Sequence, residues 1–293
     1  MRWVSLLTTA VLCSACSSLP SKQDLAAFGD ASSKGVAVVT QVVASGETLR
    51  TRQDELRQVS KYMRGARFAA ESIPILPDPS QAVIDAQLKI RLSALSDLQA
   101  YAKAVGDAAD QGAIDGLIAA TEKLGSNIGE LAKLAAPEIA PVAAPAFKAL
   151  GKAVGYGLAD GYVRKVNAVI KEADLIVAEV IRLLRQDLAE LPPDIDIEAG
   201  TYAALRDEQL HIIRSDSRVT RSDLYGAYFS ARTDIAANYE LAKAATAIDG
   251  VLKSIADTHH ALAQGKPDVD LTIKRMSALS TDLAAVIAAL RKG

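Results

Sequence analysis

Two places in the sequence set an acid three residues ahead of a histidine: Glu208-x-x-His211 and Asp257-x-x-His260. Carboxylate oxygen and imidazole nitrogen are ligands for iron, manganese and zinc, and a spacing of three puts both on one face of a helix. The only two cysteines, Cys13 and Cys16, stand as Cys-x-x-Cys, the spacing of a redox pair or of half a zinc site. Beyond His211, His259 and His260 there is no other histidine. No Gly-x-Ser-x-Gly elbow, phosphate-binding Gly-rich loop or His-Glu-x-x-His is present. Nothing sets a serine beside a histidine oriented by an acid, so no enzyme activity is expected.

The two acid-histidine pairs partly resemble the di-iron carboxylate bundles, which combine two Glu-x-x-His motifs with a Glu from each of two further helices. The second motif here carries the shorter Asp, and no two bridging Glu residues can be assigned. Two solvent-facing pairs on charged helices are the simpler reading. No metal or cofactor is therefore expected, and Glu208, His211, Asp257 and His260 are the residues to check. His259 falls on an apolar seam, where a half-buried, hydrogen-bonded imidazole or the end of a helix is expected.

The cysteines read differently once their surroundings are included. "MRWVSLLTTAVL" carries one charge, Arg2, and then a short apolar run, with no acid before Asp24. That is the plan of a secretory signal; a spanning helix needs about 20 apolar residues. The stretch Cys13-Ser14-Ala15-Cys16 resembles the lipobox of bacterial lipoproteins, with Ser14 and Ala15 as the small pair and Cys13 where Leu is usual. The resemblance implies cleavage after Ala15 and a diacylglyceryl thioether with an acylated amine on Cys16. It further implies the outer membrane of a Gram-negative bacterium, facing the periplasm, because Ser rather than Asp follows at position 17. A plain secretory signal that leaves a free thiol is the alternative. Neither a thioredoxin-like setting nor two further zinc ligands accompany the pair.

On this reading residues 1–15 are signal, 16–33 a lipidated N-terminus and tether, and 34–293 one elongated domain. Removing 15 of the 293 residues leaves 278, with 32 basic against 35 acidic side chains and a net charge of −3. That balance does not suit a protein devoted to nucleic acid. The remainder is rich in Ala, Leu, Val and Ile and poor in aromatic residues.

Its apolar residues alternate four and three apart. One run is Ile84, Leu88, Arg91, Leu95, Leu98, Ala102, Val105, Ala109; another is Leu241, Ala245, Ile248, Leu252, Ile255, His259, Leu262. A third runs Val269, Ile273, Met276, Ser280, Leu283, Ile287, Leu290, and a fourth Tyr162, Val166, Val169, Ala173, Ile176, Val180, Leu183. Val42, Leu49, Leu56 and Met63 repeat every seven residues. This is the seam of helices packed in coiled-coil fashion. Breaks are expected at 73–80, 110–116, 136–145, 191–196 and 264–270, where Pro and Gly cluster, with 214–223 either a break or a polar helix face. The expectation is an all-α, elongated antiparallel bundle of about six long helices with essentially no sheet.

Residues 131–162, "LAKLAAPEIAPVAAPAFKALGKAVGYGLADGY", carry the pairs Gly151/Gly155 and Gly157/Gly161. Small residues four apart let helices approach closely, as they do in membranes. A membrane-active or pore-forming hairpin is one reading. Lys133, Lys148, Lys152, Asp160 and three prolines interrupt the run, and a Pro-rich loop entering a tightly packed helix is the other. Three functions follow in order: a lipid-anchored envelope protein working by contact with a protein partner, a membrane-active protein using 131–162, and a metal-binding bundle.

Overall fold

The structure is a computed structural model that describes residues 20–65, 79–108, 113–138, 162–266 and 268–290. Cys13, Ala15, Cys16, Gly151, Gly155, Gly157 and Gly161 lie outside the described residues, as does most of 131–162. Among the described residues there are eight helices and no strand. They are α1 Lys22–Met63, α2 Pro79–Asp107, α3 Ile114–Ala135, α4 Tyr162–Asp187, α5 Leu191–Ser215, α6 Arg221–Thr246, α7 Ile248–Ala263 and α8 Val269–Leu290.

The first helix starts earlier than its composition suggests. Ser21 and Asp24 form a capping box: the Asp24 N–H donates to Ser21 Oγ at 3.1 Å, and the Ser21 N–H donates to Asp24 Oδ2 at 2.9 Å. Two otherwise orphaned amides are satisfied, which nucleates the helix inside a stretch rich in Ser, Lys and Gln. The expected tether of 16–33 is thereby corrected. From Lys22 onward it is helix, with Leu25, Phe28 and Ala31 buried in the core. The same helix ends at Met63, ten residues before the proline cluster, because Gly65 adopts φ +92° and turns the chain out.

The break expected at 191–196 falls earlier, at 188–190: α4 ends at Asp187, and Pro192 and Pro193 sit in the first turn of α5, where a missing N–H leaves no intrahelical bond unmade. Residues 214–223 are a true break, since Thr220 and Asp223 build a second capping box at the start of α6. Between α6 and α7 only Ala247 intervenes, in helix-like backbone, so the seam from Leu241 to Leu262 runs through the joint without losing register.

Pairings along α1 fix the directions. Ser33 meets Gln99 and Gly46 faces α5 at Ile195, while Gln53 donates to the Glu198 carbonyl and Arg64 contacts Glu208. Residue numbers on α1 and α5 rise together, so the two run parallel. Ser32 with Met276 and Gly35 with Ser280 make α8 parallel to α1 as well. The α1/α2, α2/α3, α5/α6 and α7/α8 pairs are antiparallel. Because α4 continues into α5, and α6 into α7, in one direction each, the eight helices make six passes along the axis. The lower part packs α1, α2, α3, α4, α7 and α8; above it α1, α5 and α6 continue as a three-helix stalk. At 1.5 Å per residue, the 42 residues of α1 reach about 63 Å.

The seams read from sequence are the core. Leu95, Leu98, Val105, Val166, Val169, Ala173, Ile176, Leu252, Ile255, Ile273, Met276 and Leu283 are all buried in one continuous cluster. A close backbone approach lies where α1 crosses α2. A Cβ placed on Gly29 would come within 2.6 Å of Gly106 Cα and 2.8 Å of the Ala102 carbonyl oxygen. Only glycine permits that crossing.

Candidate functional site

The densest polar chemistry centres on a buried histidine, and the sequence singles out its two histidines but neither of their partners. His259 on α7 is fully buried; its Nε2 lies 2.6 Å from the Tyr101 hydroxyl of α2, and its Nδ1 lies 3.0 Å from Asp174 Oδ1 of α4. His260 Nδ1 reaches the other oxygen, Asp174 Oδ2, at 2.8 Å. Burial first, and then the negative charge of Asp174, hold the Tyr101 hydroxyl well above its ordinary pKa, so it stays protonated and donates. His259 Nε2 is then the acceptor and its Nδ1–H the donor to Asp174. Burial pushes the Asp174 carboxyl up, but the hydrogen bonds from His259 and His260 outweigh it and hold the group below its usual range.

An acid, a histidine and a hydroxyl in series look like the parts of a nucleophilic triad. The geometry is closed, however: Tyr101 is buried, and the His259 ring packs 5.6 Å from that of Tyr101 and 5.8 Å from that of Phe28. No substrate atom can reach the hydroxyl. The relay pins α2, α4 and α7 at one level of the bundle. Asp97 does similar work between α2 and α3, where it is buried, binds Asn127 and receives Lys123 Nζ at 2.9 Å.

The four acid and histidine residues singled out for metal are not brought together. Glu208 and His211 stand on α5 in the stalk, Glu208 against Arg64 and His211 exposed. Asp257 and His260 stand on α7 in the six-helix part, with Asp257 held by Lys253 at 3.0 Å and His260 by Asp174. Among the described residues no three His, Cys, Asp or Glu side chains converge on a point that could hold a metal. His259, expected to be half-buried, is sealed completely.

A second feature lies at the stalk. On α6, Tyr225 is 67% exposed, Tyr228 52%, Phe229 42% and Tyr239 43%. The rings of Tyr225 and Phe229 pack at 4.5 Å, and that of Tyr228 meets Phe229 edge-on at 5.6 Å. Beside them an open groove of about 700 Å³ lies between α5 and α6, bordered by Leu210, His211, Arg214, Arg221, Leu224 and Tyr225 among others. Tyr225, Phe229, Arg232, Ala236 and Tyr239 repeat the four-three spacing of a seam on the outward side of α6. The opposite side, with Ala231, Asn238, Leu241 and Ala245, is buried. That double pattern is the signal by which sequence could have found the patch.

Compared with protein-family models, curated proteins and solved structures, the chain matches none. No described helix is long and apolar enough to cross a membrane.

Proposed function

We propose that the chain is a lipid-anchored helical scaffold of the bacterial cell envelope. It is held through Cys16 on the periplasmic face of the outer membrane and works by contact with a protein partner rather than by catalysis. The observation that carries this reading is the reach of α1. It begins six residues after Cys16 and runs without interruption for 42 residues, from the six-helix part to the end of the stalk. An anchor at one end of such a rod holds its other end about 63 Å away. Tyr101, His259, Asp174 and Asp97 each bridge neighbouring helices, and the exposed aromatic face lies on the stalk, remote from the start of α1.

The Cys16→Ser variant tests the anchor. Fractionation of cells should find the wild type with membranes and the variant in the soluble periplasmic fraction; an unchanged membrane association would refute the assignment.

A further inference from the structure

The outer face of α6 has the composition of a binding surface and the spacing of a helix-pairing one. The sequence contains eight tyrosines and four phenylalanines, and four of these twelve stand exposed on this single helix. Tyrosine and arginine are the side chains most enriched at the energetic centres of interfaces, and large exposed aromatic patches are uncommon on surfaces with no partner. A four-three repeat with aromatic side chains at its contact positions is the surface that a second helix packs into.

Charge identifies the kind of helix. The acids of this region are mostly neutralised internally: Asp216 by Arg218 at 2.8 Å, Asp234 by Arg206 at 2.9 Å, Asp223 in the α6 cap, and Glu240 by Lys243. The cations Arg214, Arg221 and Arg232 have no ion-pair or hydrogen-bond partner among the described residues, and Asp207 is the nearby acid left to oppose them. The groove beside Tyr225 and Tyr228 thus has an apolar floor and a basic rim. Lattices of this kind repel a basic partner and orient an acidic one. A second copy of the chain carries the same basic rim, so pairing this face with itself would set like charge against like charge, which disfavours self-pairing.

We infer that the outer face of α6, with the adjoining groove against α5, docks an acidic amphipathic helix of a partner protein. The inference rests on the reading of the chain as a contact protein but not on its lipid anchor. It can therefore fail while Cys16 proves to be lipidated, or hold while Cys16 does not.

The test uses the full chain purified in mild detergent and two fluorescent synthetic helices of about three heptads, both with Leu at the core positions. One carries Glu at the flanking positions and the other Lys. Anisotropy should show the Glu helix binding at least about tenfold tighter than the Lys helix. The double variant R214E/R221E should reverse that preference, and Y225S/F229S should weaken both helices about tenfold, with helix content by circular dichroism unchanged in each variant. All the substituted residues except Phe229 are well exposed rim or face positions, and R214E/R221E leaves the apolar face intact, so loss of folding cannot imitate the reversal. Equal binding of the two helices, or no binding, overturns the proposal. So does concentration-dependent self-association that Y225S/F229S abolishes, or binding to phosphatidylglycerol vesicles in place of the Glu helix.

Discussion

His259 is satisfied on both ring nitrogens, and that makes it a fastener rather than a reagent. Tyr101→Phe would leave Nε2 buried with no donor, at a cost of about 1–3 kcal/mol in unfolding free energy. Asp174→Asn removes the charge that two imidazoles share and should cost about 1.5–3 kcal/mol, the range for hydrogen bonds to an ionised group. Chemical denaturation of the two variants checks both figures. Acid gives an independent check. The Asp174 pKa is lower in the folded chain than in the unfolded one, so its contribution is fully present above the unfolded value of about 3.9. It should fade as the pH falls through the lower folded value, and the D174N variant should lack that portion of the acid sensitivity. His259 is legible from its place on a seam, whereas Tyr101 and Asp174 are not. Those two sit one position from seam residues Ala102 and Ala173, where periodicity assigns no role to a polar side chain.

Periodicity recovers the helices because their cores are built from evenly spaced small aliphatic side chains. The seams of α4, α6–α7 and α8 are buried where the four-three spacing puts them. Local hydrogen bonding decided the ends instead. The Ser21–Asp24 box starts α1 within an expected tether, and Gly65 stops it before the prolines. The crossing of α1 over α2 was hidden for another reason: Gly29 and Gly106 are isolated glycines, and their meeting depends on the relative heights of two helices. Gly29→Ala should separate those helices and destabilise the bundle by about 1–3 kcal/mol. Thermal unfolding would register the loss, and an unchanged midpoint would show that the crossing is looser than described. Thr220→Ala, which removes one capping box, should cost about 1 kcal/mol and fray the start of α6. Because α6 carries the aromatic face, amide exchange there should quicken before exchange in α7 does.

In the molecule as a whole, the eight described helices make six passes and a body from which α1, α5 and α6 extend as a stalk. The sequence pattern conveys the helical class and the elongation. It does not convey that α5 and α8 run parallel to α1, since direction depends on how α4 joins α5 and α6 joins α7. Nor does it separate an apolar residue facing the core from one facing outward, so Tyr225, Phe229 and Tyr239 do not stand out in it. The proposed arrangement has an anchor near the start of α1 and a contact face on the stalk, and everything about its orientation depends on the first of these. Mass spectrometry of the N-terminal peptide from the protein in its native membrane tests that most directly. The expected product is a chain beginning at Cys16 with a diacylglyceryl thioether and an acylated amine. A free Cys16 thiol, or a chain that retains residues 1–15, would contradict it.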